Sequence, residues 1–269
     1  MSFSISGKTA IVTGASSGVG LAIGRHLADK GANVVFADHS EEALRHELGE
    51  NKDGKNTRYF AGDLLEKLTM ANLISYTLDA YDSIDILVNG SRRVMLSDPL
   101  DTEDGTLDIL LAQNVLASLR LSQLVAKRMI KQAADRREGC AGTIVNLSSI
   151  AAQRTHPKLL AFSMATASLD QMTRSLALAL APHRIRINGV AFGSVMSASL
   201  QEQLKEFPDY RADLEEHTPL RRIAAPTELA EAVHFLTSEA SSFMTGQIIT
   251  VDGGRTLLDT VGAPPDPIR

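Results

Sequence analysis

The sequence predicts a single α/β domain: a doubly wound parallel sheet with helices on both faces. Three observations carry this. Short apolar runs alternate with longer amphipathic stretches along the 269 residues, the signature of βαβ units. The runs are nearly continuous in apolar residues, as strands covered on both sides should be. A glycine-rich turn, TGASSGVG, joins the first run to the first amphipathic stretch.

The strands are expected, in order, at 9–13 (TAIVT), 33–37 (NVVFA), 57–61 (TRYFA), 84–89 (IDILVN), 142–148 (GTIVNLS), 184–191 (RIRINGVA) and 247–252 (QIITVD). Their Val, Ile and aromatic content favours strand over helix. Amphipathic helices are expected at 19–29, 101–132, 159–181 and 226–237. The last opens on Pro226 with Glu228 close behind, both favourable choices at a helix N-terminus. No internal repeat or Gly/Pro/Ser-rich linker divides the chain. The domain is expected over 1–255, followed by a Pro-rich tail, 256–269, that is only loosely held.

Composition narrows the function classes. Apolar residues make up 44% and charged residues 22%, the balance of a globular domain. A net charge of −5 supplies no broad phosphate-binding surface, so nucleic acid is not an expected partner. The one cysteine, Cys140, excludes an internal disulfide, suits a reducing compartment and reads as a passive thiol. No apolar run approaches the ~20 residues of a membrane span, and the N-terminus lacks a basic leader. No membrane association is expected, and a cytoplasmic location is the default. The seven histidines show no metal-ligand spacing, so no metal site is expected.

The turn at 13–20 fits a pyrophosphate cradle, in which Gly14, Gly18 and Gly20 let backbone amides approach an anion at the helix N-terminus. Ser16 and Ser17 add hydroxyls, and Val19 begins the helix. A plain strand-to-helix turn would read the same way. Asp38 tips the balance: it ends the second strand 18 residues after Gly20, where an acid accepts from adenosine ribose hydroxyls. A carboxylate there repels a 2′-phosphate, and its neighbours Ala37 and His39 include no Arg or Lys. NAD(H) is favoured over NADP(H).

Thr13-Gly14 through Gly20, Asp63-Leu64, Asn89, Asn114, VNLSS (145–149) and the stretch 219–254 together resemble the short-chain dehydrogenases/reductases, in order and spacing, over residues 6 to about 255. The resemblance implies a Rossmann-type domain with a seven-stranded parallel sheet. It implies a nicotinamide dinucleotide across the strand C-termini, and hydride transfer to or from a small carbonyl or alcohol substrate. It also implies a homotetramer or dimer built on the helices at 101–132 and 159–181; an inactive member would be free to pair with an active relative in mixed oligomers. Asp63 would contact adenine with Leu64 beside it, and Asn89 would lie along the adenosine ribose. The backbone at Val195 and the hydroxyl of Ser197 would reach the carboxamide and phosphates. The segment 194–220 would form a helical lid.

The family's chemistry uses Ser, Tyr, Lys and Asn. Ser149 fits the substrate-holding Ser, 13 positions before Phe162, and Asn114 fits the Asn that supports a relay water. At the Tyr and Lys positions stand Phe162 and Thr166. Phe162 has no hydroxyl to move a proton, and Thr166 is short and uncharged; general acid–base catalysis typically contributes ~10²–10⁴-fold. Two more departures flank the cleft: Asn89-Gly90-Ser91-Arg92 replaces Asn-Asn-Ala-Gly, and Phe192 replaces the proline after strand six. They are expected to narrow the nicotinamide end or fill it with a guanidinium. Three readings stand in order. The first is an NAD(H)-binding protein with little or no hydride transfer. The second is an active oxidoreductase using Lys158, His156 or Arg92 as its acid. The third is a scaffold that has lost the cofactor.

Overall fold

The computed structural model describes residues 2–49 and 56–259. Strands β1 (Thr9–Thr13), β2 (Asn33–Asp38), β3 (Thr57–Ala61), β4 (Ile86–Asn89), β5 (Gly142–Ser149), β6 (Ile185–Phe192) and β7 (Ile248–Val251) form one sheet, ordered β3-β2-β1-β4-β5-β6-β7. Every neighbouring pair is parallel.

Both faces are buried, and the pleat divides the apolar residues between them. Ala10, Val12, Val34 and Phe36 pack on one side with Leu21, Ile23 and Leu27 of α1 (Gly18–Asp29) and with Leu229, Val233 and Leu236 of α9 (Pro226–Thr237). Ile11, Val35 and Ala37 point the other way. They meet Met70 and Leu73 of α3 (Lys67–Tyr81), Leu121, Val125 and Met129 of α5 (Ala117–Gln132), and Ala177 of α6 (Leu160–Leu180). A short helix α2 (Glu41–Leu48) follows β2, capped by the Ser40 side chain accepting from Ala43 N–H. In the lid segment lie α7 (Ala198–Glu206) and α8 (Asp209–Glu216).

Several expected boundaries move, each for a local reason. The fourth strand starts at Ile86 and not 84, because Ile84 N–H bonds the Gln132 side chain and Asp85 uses its carboxylate to accept from Thr9 N–H. The helix expected from 101 starts at Thr106, as α4 (Thr106–Leu110), since Asp104 accepts from Asp98 and Thr106 N–H and holds 101–105 as turns. Between α4 and α5 the backbone widens into a π-helical turn, Leu111–Leu116, that carries Asn114. The helical run Thr106–Gln132 is long and apolar enough by length and composition to cross a membrane, contrary to the sequence reading, but half of its most apolar window is buried inside the fold. The tail expected to be loose from 256 is held at its start: Arg154 Nε donates to the Thr256 carbonyl at 3.0 Å. The rest of that tail, from 260, lies outside the described residues.

Candidate functional site

The strand order reverses between β1 and β4, which opens a crevice at the strand C-termini where open α/β sheets bind ligands. Thr13, ending β1, fixes the two sides together: its Oγ1 accepts from Gly90 N–H at 3.0 Å and Ser91 N–H at 3.1 Å. The glycine turn lies above. Gly14 has φ +66°, and a Cβ there would stand 2.6 Å from the Gly90 carbonyl oxygen. A Cβ on Gly20 would stand 2.1 Å from the Gly14 carbonyl oxygen. Both positions therefore require glycine. No side chain caps α1 at Ser17, so its first-turn N–H groups keep an uncompensated positive end. A Cβ on Gly18 would lie 3.6 Å from Ser197 Cβ, which brings the start of the lid beside the turn; Ser197 also caps α7 by accepting from Leu200 N–H.

Asp38 is buried and already well supplied with donors. Its Oδ2 accepts from Ser16 N–H at 3.1 Å, and its Oδ1 accepts from His39 N–H at 2.7 Å, with His39 Nδ1 2.8 Å away. The carboxylate thus ties the glycine turn to β2. Beside it opens a cavity of about 290 Å³ lined by Asp38, Asp63, Leu64, Arg92 and Arg93. Glycines that a Cβ would fill, an acid at the strand end and a cavity lined by Asp63 and Leu64 fit the adenosine half of a dinucleotide.

The other end of the crevice is tighter. Phe162 and Thr166, one turn apart on α6, are both buried. The Thr166 hydroxyl donates to the Phe162 carbonyl, so it is spent on its own helix. With Asn89, Arg92, Asn114 and Leu147 they line a void of about 10 Å³, room for about one water. Ser149 ends β5, buried, with Oγ accepting from Ala151 N–H at 3.2 Å. The side chains of both candidate asparagines are held by protein partners. Asn114 clasps the Arg93 backbone with its amide, accepting from the N–H and donating to the carbonyl at 2.8 Å each. Asn89 points its amide inward, donating to Ser122 Oγ at 2.9 Å and Asn146 Oδ1 at 2.7 Å, so its side chain is turned away from any ribose. Val195 is buried where its bridge with Ala224 anchors the lid segment.

Arg92 lines both cavities. Its guanidinium carbon lies 4.2 Å from the centroid of the Phe192 ring, a cation–π stack. Its NH1 donates to the Ser148 carbonyl at 3.4 Å. Phe192 is the register partner of Ser149 across β5 and β6, so the guanidinium lies over the strand ends beside that serine. The side chain is reached by solvent but hemmed in by protein, and this desolvation lowers its pKa to about 10. It remains charged at neutral pH. Of the other two candidate acids, neither lines the void. His156 caps a short 3₁₀ turn by accepting from Lys158 N–H, and both side chains are exposed.

Some members of the site were given no role of their own from sequence. Asn146 links Asn89 to Thr173 Oγ1 of α6, donating at 2.8 Å, and Ser148 donates to Asp170 Oδ1 at 2.6 Å. Burial pushes the Asp170 carboxyl above the usual carboxylate range, against the Ser148 bond and Arg174. The signals for Asn146 and Ser148 are a polar residue inside an apolar strand and their place in the VNLSS motif. For Asp170, amid a helix, there is none.

The family profile described as "Enoyl-(Acyl carrier protein) reductase" matches residues 14–256. The 7alpha-hydroxysteroid dehydrogenase of Escherichia coli K12 is 30% identical over 251 residues, covering 93% of this chain and 94% of that protein. This chain belongs to the short-chain dehydrogenase/reductase family. Among solved members of the family, a 7alpha-hydroxysteroid dehydrogenase complexed with NADH and 7-oxo glycochenodeoxycholic acid superposes with a TM-score of 0.85 at 30% identity, covering 94% of this chain and 95% of that one. A short-chain dehydrogenase/reductase from Mycobacterium marinum superposes with a TM-score of 0.82 at 28% identity, covering 95% and 99%.

Proposed function

We propose that this family member binds NAD(H) through an intact adenosine half-site and has lost hydride transfer by the Ser-Tyr-Lys route. One observation carries the proposal. Where the family places its acid–base pair, the void of about 10 Å³ is faced by a hydroxyl-free Phe162 and by Thr166, whose hydroxyl is bonded to its own helix. No proton donor of the usual kind faces a substrate there. The adenosine half is supported by Gly14, Gly20, Asp38, Asp63 and Leu64. NADH complexed with the 7alpha-hydroxysteroid dehydrogenase relative makes it the first ligand to try. When bound, the nicotinamide would supply or accept the hydride; this chain's residues would only hold and orient it. Exposed Leu116, Met164 and Leu178 on the long helices support pairing with a second copy, to be checked by light scattering.

The test pairs a titration with a turnover assay. Purified protein is titrated with NADH and with NADPH, following nicotinamide fluorescence and thermal unfolding, then assayed on a panel of ketones and alcohols. Selective stabilisation by NADH without turnover is the expected result. Turnover at ordinary enzymatic rates would overturn the loss of chemistry, and no response to either dinucleotide would overturn cofactor binding. A second reading retains activity with Arg92 as the acid, favoured by its lowered pKa and its place on the void. It requires measurable turnover that Arg92→Gln abolishes.

A further inference from the structure

Outside the crevice, α1 and α9 bring together three side chains with no role in the site above. His26 stands eight residues into α1, about 12 Å along the helix from the glycine turn. Glu231 and His234 are three residues apart on α9, hence on one face. His26 Nε2 is 3.3 Å from His234 Nδ1 and 3.6 Å from Glu231 Oε2, and His234 Nδ1 is 4.0 Å from the same oxygen. A tetrahedral ion with ~2.1 Å bonds would space its ligands by about 3.4 Å. The three donor atoms already stand near that spacing.

The orientation of His234 adds an independent observation. Its Nε2 lies 2.7 Å from the Phe3 carbonyl oxygen, an acceptor only, so Nε2 carries the proton and the Nδ1 lone pair points at His26 and Glu231. A ring N–H held by a backbone carbonyl is the support that metal-ligating histidines commonly have. The His234 side chain is 8% exposed and that of His26 13%, while Glu231 at 65% opens the cluster to solvent on one side. That side gives an ion an entry path and room for a water as fourth ligand.

We propose that His26 Nε2, His234 Nδ1 and Glu231 Oε2 form a binding site for a borderline divalent cation of the zinc class. Two imidazoles and one carboxylate suit such an ion better than Mg²⁺ or Ca²⁺, which prefer all-oxygen shells. Because the ligands come from two helices on one face of the sheet, bound metal clamps α1 to α9. Through the Phe3 carbonyl it also holds the N-terminal segment, whose Phe3 ring packs edge-on against His234 at 6.3 Å between centroids.

The experiment uses untagged, chelator-stripped protein titrated with Zn²⁺ by calorimetry and thermal unfolding, and with Co²⁺ by visible absorption. One equivalent of Zn²⁺ is expected to raise the unfolding midpoint by about 4 °C or more, and Co²⁺ to show the intense d–d bands of a four-coordinate ion. His26→Gln should abolish both signals and Glu231→Gln should weaken Zn²⁺ binding about tenfold. His217→Gln, at an exposed His–Asp pair at the C-terminal end of α8, should change neither. Glu231→Gln, at an exposed position, serves should His26→Gln fail to fold. No stabilisation by Zn²⁺ would overturn the site and leave a hydrogen-bonded histidine pair. A signal that survives both His26→Gln and Glu231→Gln, or that falls equally in His217→Gln, would overturn it too.

Discussion

The guanidinium of Arg92 lies 4.2 Å from the centre of the Phe192 ring, which joins two side chains that the sequence reading singles out at the edge of the crevice. Each alone is awkward, a charge inside a cleft or a bulky ring at a strand end. Together they form a cation–π stack worth about 0.5–1 kcal/mol at this solvent-exposed arginine. The stack lies over the end of β6, adjoining Ser149, and bears on what a Tyr and a Lys introduced on α6 would do.

Introducing Phe162→Tyr and Thr166→Lys, on the reading proposed above, is expected to leave the protein inactive. The void beside Thr166, about 10 Å³, cannot take four methylenes and an ammonium, and Arg92 lines the same space. A second cation there would be repelled. Adding Arg92→Gly to the pair should raise turnover at least ~10²-fold over the double variant. Single-turnover NADH oxidation with a ketone panel reads the difference; equal rates in the double and triple variants would exonerate Arg92.

Asp38→Asn keeps one oxygen to accept from Ser16 N–H while removing the charge, at the cost of the bonds that the other oxygen accepts from His39 and Ser40 N–H. NADH affinity is expected to fall about tenfold, the cost of converting charge-assisted hydrogen bonds to neutral ones. NADPH affinity should hold or rise. Fluorescence titration measures both; parallel losses would mean that Asp38 acts only as a brace for the turn.

Asn146→Ala breaks a buried polar chain running from Ser122 through Asn89 and Asn146 to Thr173. It leaves the Asn89 amide and Thr173 hydroxyl short of partners in the core. The expected cost is about 2–3 kcal/mol, lowering Tm by about 5–10 °C. Calorimetry on the purified variant tests it, and a shift under about 2 °C would show the chain is rescued by water.

Asp170 makes stability depend on pH. Its folded pKa is raised, chiefly by burial, so the folded chain keeps a proton that the unfolded chain has already released. Stability therefore falls as pH rises from the ordinary carboxylate value through the folded one, and the cost persists above it. Asp170→Asn removes that cost. The variant's Tm should exceed the parent's at pH 8 and converge with it near pH 4; a constant difference at all pH values would place its effect in packing instead.

Much of this architecture is legible in the sequence because it is local. The strands follow from apolar runs, the tight turn into α1 from its glycines, and the acid that ends β2 from its place at the close of an apolar run. The absence of a hydroxyl at Phe162 and of a charge at Thr166 is likewise written in the residues themselves. The boundaries that shifted did so where a side chain outside the pattern captured the backbone, as Gln132 captures Ile84 and Asp104 captures Thr106.

Tertiary structure decided what depends on which side chains meet. It set the inward turn of Asn89, the clasp of Asn114 on the Arg93 backbone, and the stack of Arg92 on Phe192, 100 residues apart in sequence. It also brought His26 to His234 across 208 positions, where no spacing rule for metal ligands reaches. Periodicity and turn chemistry act over a few residues and so can be read along the chain. Contacts between elements depend on sheet order and helix packing, and are fixed only once both faces of the sheet are covered.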